Sequence, residues 1–312
     1  MTDKFFITNR DCGLGDTLLN LHATHFFAKK FNGSVVVDWR SLPYNIFSKN
    51  KINLFHSLFE LPSEIDGVKY YSYEEIEECH DYELTRQYPF ILPGPSREEL
   101  DKIILENKYL NVGSRSCEGT NNYFEIQGVE ILFEYIEYLR YFKLNDLIQD
   151  KINYYKNKYF KDDNVVTIHV RHGNGEERGG YNGPWCSYET IERKIYDILK
   201  LECSDKIDNK KFLICTDNKK LHDDFLTNFP NSFSIEKTYS DDNIGALHKT
   251  SNNPIQTIHE AFIEMELLSY GMFGIFTYLS VYNTLPTMKM IYEKNRNVYH
   301  FDRDSFFKCR KI

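Results

Sequence analysis

Short apolar runs rich in β-branched residues punctuate this chain, and between them apolar residues recur at spacings of three and four. Phe5–Thr8 is the first run and Ser34–Trp39 the second. Between them, Asn9–Asp16 is a polar turn holding Gly13 and Gly15. Leu19, Ala23, Phe26 and Phe27 then mark one apolar face of a helix from Thr17 to about Phe31. Asp16 is the expected N-cap. Strand, turn, helix, strand makes a βαβ unit with a right-handed crossover. The two glycines let backbone N–H groups at the helix start come close to an anion. They fill the first two places of a dinucleotide fingerprint, but Leu18 stands in the third, so a nicotinamide enzyme is a poor second reading.

Residues 41–125 are interrupted by prolines and predict little regular structure. Helical spacing returns over Val129–Tyr159. The polar stretch at 157–163 then separates two domains, 1–160 and 161–312. The second half alternates cleanly. Strands are expected at Val165–Val170, Phe212–Cys215, Phe233–Glu236, Met272–Phe276 and, last, Met288–Tyr292. Helices are expected after Ser187, from Lys219 to Asn228, and from the Asn253-Pro254 pair through Tyr270. Two α/β domains of this kind leave a cleft lined by strand-end residues, where a ligand sits by default.

The chemistry concentrates where the strand Val165–Val170 breaks into Arg171-His172-Gly173-Asn174-Gly175-Glu176-Glu177. An open α/β sheet presents its ligand site at the carboxyl ends of its strands. A guanidinium there suits a planar anion such as a diphosphate, and two carboxylates follow on the same loop. Taken singly, a strand-end arginine is more often a surface ion-pair partner, and a strand histidine such as His169 a satisfied core residue. Taken as one run, they point to transfer of a group carried on a phosphate.

Net charge is −8, from 38 basic and 46 acidic residues, which argues against a nucleic-acid groove as the main function. Seven scattered cysteines with no Cys-x-x-Cys pair argue against a disulfide framework or a zinc site. They fit a reducing, cytoplasmic setting. The N-terminus lacks the apolar core of a signal peptide, and no apolar run approaches the length of a spanning helix. Peripheral attachment at the inner face of a membrane stays open.

Arg10-Asp11-Cys12-Gly13-Leu14-Gly15-Asp16, Val37-Asp38-Trp39-Arg40 and His169-Val170-Arg171-His172-Gly173-Asn174-Gly175-Glu176 together resemble the nodulation-type (NodZ-like) fucosyltransferases of rhizobia. More distantly they resemble the α1,6-fucosyltransferases of N-glycan cores. The similarity runs from about residue 5 to 285, with 41–155 poorly matched. It implies a GT-B-like fold of two Rossmann-like domains facing across a cleft, the C-terminal one binding the nucleotide sugar and the N-terminal one serving the acceptor. It also implies an inverting transferase that moves fucose from GDP-fucose to a glycan hydroxyl without metal or cofactor. The acceptor is an oligosaccharide or polysaccharide, with a lipid-linked one left open.

By the same resemblance Arg171 grips the β-phosphate, His169 lies near the guanine, and Glu264 accepts hydrogen bonds from it. Thr277 and Ser280 sit where hydroxyls meet the diphosphate, with Tyr278 one register away. Asp217 matches a strand-end Thr-Asp of the family, and is equally readable as a helix N-cap. Glu176 and Glu177 are the candidate bases, although the core enzymes carry their glutamate farther along the loop, where this chain has Gly179 and Gly180. Another GDP-sugar (mannose, heptose or deoxysugar), or a non-catalytic nucleotide- or sugar-binding protein on the same fold, is the alternative.

Overall fold

The computed structural model describes residues 4–9, 11–45, 47–76, 102, 106–111, 130–172, 187–204, 206–239, 252–278, 280–302 and 304–309. The chain divides into two compact units, Met1–Asn145 and Asp146–Ile312. The division falls ahead of the helix Asp146–Tyr159, whereas the polar stretch at 157–163 suggests a boundary behind it. That helix lays Ile148 and Ile152 into the second unit, leaving its polar side to solvent.

In the first unit, β1 (Phe5–Thr8), α1 (Leu14–Lys30) and β2 (Ser34–Val37) form the expected βαβ unit. β3 (Glu64–Ile65), β4 (Val68–Ser72) and β5 (Tyr109–Asn111) complete a sheet of order β3-β4-β2-β1-β5. Every pairing in it is parallel except β3 with β4. That hairpin turns on Asp66 and Gly67, with φ of 49° and 81°. This two-residue Asp-Gly turn is the strongest short-range hairpin signal in a stretch read as irregular. Two calls at α1 are corrected. The helix begins at Leu14, and Gly13 is its N-cap with extended φ −66°, ψ 164°. Asp16 instead lies inside the first turn, where a carboxylate favours the positive end of the helix dipole.

The second unit carries a sheet of order β11-β10-β9-β6-β7-β8. Its strands are β6 (Val165–Val170), β7 (Lys211–Thr216), β8 (Ser232–Phe233), β9 (Phe273–Thr277), β10 (Asn297–Phe301) and β11 (Phe306–Cys309). All neighbours run parallel except β10 and β11. All six residues of β6 are buried, as the unbroken β-branched run predicts. The crossover helices are α4 (Tyr188–Cys203), α5 (Lys219–Asn228) and α6 (Pro254–Leu268), following α2 (Glu130–Leu139) and α3 (Asp146–Tyr159). Ile191, Ile195, Ile198 and Leu199 of α4 pack with Val166, Ile168, Ile214 and Ile275 in one core.

Met288–Tyr292 is not a strand. It continues the short helix Thr284–Met288 into a π-helical turn, Lys289–Glu293. Met288, Met290 and Ile291 are all buried, so the buried positions do not alternate. A five-residue apolar run cannot separate the two conformations by period. The true last strands, β10 and β11, follow it.

Candidate functional site

β6 lies where the second sheet reverses its order. The chain moves outward from β6 to β7 and β8, then crosses back to place β9 on the other side. Ligands of open α/β sheets bind at such a switch point, beyond the strands' carboxyl ends. Arg171 emerges there. Its backbone N–H donates to Thr277 Oγ1 at the end of β9 (3.0 Å), and that hydroxyl donates to the His169 carbonyl (3.3 Å). One threonine thus ties the two strand ends together beneath the arginine.

The Arg171 guanidinium pairs through Nη1 with Asp217 Oδ2. The other oxygen, Oδ1, accepts the His172 backbone N–H (2.9 Å). Asp217 therefore holds both the head and the following backbone of Arg171. The N-cap of α5 is not Asp217 but its neighbour: Asn218 Oδ1 accepts from Leu221 N at 2.9 Å. The Asn218 amide also donates to the Tyr188 hydroxyl and lies 3.1 Å from His172 Nδ1. The His172 ring stacks on Tyr188 with centroids 4.8 Å apart. Side-chain exposures of 29% for Arg171 and 13% for Asp217 leave the arginine part-exposed while its counter-ion is mostly covered.

His169 stacks on Tyr282 (4.8 Å), whose hydroxyl donates to the Ala261 carbonyl. Burial holds the His169 imidazole down at about 3, so the ring is neutral at physiological pH. Asn283 donates to the Thr277 carbonyl at 2.7 Å and closes the loop below it. Ser280 is half-buried and opens this turn, its carbonyl accepting from Asn283 N (2.9 Å). Tyr278 turns away: its N–H pairs with the Phe301 carbonyl and its ring packs edge-on against Phe307. Of the two registers, the structure therefore brings Thr277 to the arginine.

Glu264 lies on α6 and is buried. Lys237, in the segment after β8, reaches its Oε2 at 2.9 Å and donates to the Thr216 carbonyl at 2.5 Å. Burial pushes the Glu264 carboxyl above the usual range, and the Lys237 ammonium works against that rise. His169, Arg171, Asp217 and Thr277 form one hydrogen-bonded cluster. Glu264 is linked to the same strand edge through Lys237 and Thr216, the residue before Asp217.

In the first unit, Gly13 lies just beyond the carboxyl end of β1, and a Cβ built there would meet nothing within 4 Å. Gly15 is buried in the first turn of α1. The end of β2 carries Asp38, buried, whose oxygens hold Arg40 (2.7 and 3.0 Å) and Asn9 (3.0 Å). The Arg40 head lies 3.3 Å from the centre of the Tyr73 ring. Arg10, Glu176 and Glu177 lie outside the described residues. Among the described residues no group of three or more His, Cys, Asp or Glu is placed to hold a metal ion, and no helix is long and apolar enough to cross a membrane.

Sequence reading misses Lys237, Asn218 and Tyr282, and includes His172 in the central run without giving it a role. Each is a single polar or aromatic residue at a loop or helix end, with no periodic signature. Asn218 had a usable signal, since an asparagine directly before Lys219 is as good a cap as the aspartate ahead of it.

Comparison with known proteins fits this arrangement. The family model described as "Nodulation protein Z (NodZ)" matches residues 2–85 and 115–297. Nodulation protein Z of Bradyrhizobium diazoefficiens is 26% identical over 79% of this chain and 68% of its own length. The crystal structure of NodZ α-1,6-fucosyltransferase co-crystallised with GDP superposes with a TM-score of 0.67 at 18% identity, covering 100% of this chain and 99% of that one. The NodZ structure soaked with GDP-fucose gives 0.66 at 17%, covering 99% and 100%. The fold is therefore of the GT-B type that the sequence resemblance implies. With the family model spanning most of both units, the chain belongs to the NodZ family.

Proposed function

We propose that this protein is an inverting fucosyltransferase that takes fucose from GDP-fucose and places it on a hydroxyl of a glycan. One observation carries the reading: Arg171 stands part-exposed at the sheet's switch point, its head held by Asp217 and its backbone by Thr277. Family membership supports it, as do the relatives, whose solved structures are of a fucosyltransferase with GDP or GDP-fucose.

The acceptor oxygen attacks the fucose anomeric carbon as the bond from that carbon to the β-phosphate oxygen breaks. GDP leaves with the electron pair. Negative charge grows on the diphosphate, and a fixed guanidinium stabilises it more in the transition state than before. The hydroxyl proton passes to a carboxylate, for which Glu176 is the first candidate and Glu177 the second. Neutral His169 and the Glu264 carboxylate face the guanine, Thr277 and Ser280 serve the diphosphate, and Gly13 and Gly15 let backbone N–H groups at the start of α1 come close to an anion. No cofactor is required. The second unit binds the donor and the first serves the acceptor, an oligosaccharide or polysaccharide of a surface-glycan pathway, in the cytoplasm.

The test is calorimetric titration with GDP, ADP and UDP in the presence of EDTA, followed by GDP release from GDP-fucose with a panel of oligosaccharides. GDP should bind in preference to the others. Arg171→Ala should lose about a hundredfold or more in turnover, and Glu176→Gln should abolish transfer while sparing GDP binding. Preference for UDP, or an Arg171→Ala variant as active as the parent, overturns the reading. Full activity in both Glu176→Gln and Glu177→Gln places the base elsewhere.

A further inference from the structure

Lys237 has no place in the mechanism above, yet its side chain is only 5% exposed, and that of its partner Glu264 only 7%. A buried lysine without purpose is costly, because its ammonium must be taken out of water. Here the ammonium bridges two elements. It donates to the carbonyl of Thr216, the last residue of β7, and to Oε2 of Glu264 on α6. It also lies 5.0 Å from the centre of the Tyr239 ring. The other Glu264 oxygen, Oε1, is buried and takes no N–H or O–H donor among the described residues, and the Cys215 thiol of β7 and the Glu260 carboxylate of α6 face the same carboxyl. Glu264 can accept hydrogen bonds from a guanine N1–H and N2–H only while it is ionised and correctly aimed. A protonated carboxyl would present a donor to those donors.

We infer that Lys237 is the positioning residue of the base site: by bridging Thr216 and Glu264 it keeps the carboxylate ionised and fixed against the strand edge, and so sets the preference for guanine. The inference rests on the assignment of Glu264 to the guanine. The bridge explains why a carboxylate can be kept in a site that otherwise drives it neutral. Adenine, which offers an acceptor at the corresponding ring nitrogen, gains nothing from it.

The experiment is titration of the full chain with GDP, inosine diphosphate and ADP at about pH 6 and about pH 8.5, for the parent, Lys237→Met and the double variant Lys237→Met/Glu264→Gln. ADP controls for titration of the phosphates. In Lys237→Met, GDP should bind about tenfold more weakly than to the parent at the lower pH and recover as pH rises and Glu264 ionises unaided. ADP should change little relative to the parent. The double variant leaves no unpaired buried charge and tests the idea even if the single variant does not fold. It should bind GDP weakly, with the difference from the parent independent of pH. A parent that does not prefer GDP to ADP sinks the guanine assignment itself. A parent that does prefer it, beside a Lys237→Met variant with unchanged GDP affinity at both pH values, overturns the role given to Lys237, whereas unchanged GDP affinity in the double variant sinks the guanine assignment.

Discussion

Asp217 shows how one carboxylate sets what an arginine can do. One oxygen takes the guanidinium and the other the His172 N–H, so head and backbone are fixed together. Asp217→Asn would keep the shape and remove the charge. Arg171 would retain its attraction for a diphosphate but lose its aim. Turnover should therefore fall about tenfold to a hundredfold while GDP affinity holds, since small misplacements near the reacting atoms carry penalties of that size. Steady-state kinetics beside calorimetry separate the two, and an unchanged turnover number rules out the positioning role. At this scale the sequence was legible wherever a residue sat on a run. His169, Arg171 and Thr277 come together as the strand pattern suggests. It was opaque between neighbours: Asp217 and Asn218 are both plausible caps, and only the direction of each side chain shows which caps α5 and which holds Arg171.

At the scale of elements, β6 and α5 are coupled by Asn218. Its oxygen caps the helix through Leu221 N, and its amide reaches the Tyr188 hydroxyl beside His172. Asn218→Ala removes the cap and strips buried polar partners, so stability should fall by about 1–3 kcal/mol. Chemical denaturation reads this directly, and a loss below the measurement error would show that the cap is replaced by water. The strands and helices described from 165 to 277 follow the sequence because apolar period and capping residues agree there, except that the strand expected at Phe233–Glu236 is only Ser232–Phe233. Met288–Tyr292 does not, because a short apolar run carries no period of its own. Nor does the Glu64–Ser72 hairpin, whose Asp-Gly turn is masked by the irregular residues around it.

Among the described residues, burial of His22, His25 and His169 and half-burial of His300 keep these four rings neutral. Burial brings His22 and His169 to about 3, and His25 and His300 to about 4. Each lies below its unfolded value near 6.5. Between about 6.5 and these values the unfolded chain binds more protons than the folded one, so stability falls as pH falls. Each group contributes a loss of roughly 1.4 kcal/mol per pH unit in that window and nothing above it. Denaturation midpoints should be level from about pH 7 to 8 and drop clearly by about pH 5. Equal midpoints at pH 5 and 7 would mean that the histidines protonate in the folded state. Only the burial of His169, on the apolar run of β6, was legible beforehand; His22 and His25 lie on α1 facing Tyr70 and Tyr138, and only the packed first unit reveals theirs.

The seam between β6 and β9 has a consequence for assembly. The hydrogen bond from Arg171 N to Thr277 Oγ1 joins residues 106 positions apart. Closing so long a loop carries an entropy cost that only the finished sheet offsets, and long-range parallel pairing is slow to form. β6 and β7 share one core with Phe273 and Ile275 of β9 and Tyr299 and Phe301 of β10, so Arg171 gains its seat only when that core is complete. The seat of Arg171 is therefore a property of the closed sheet, and on the proposed function a chain able to bind GDP has already completed its longest-range pairing.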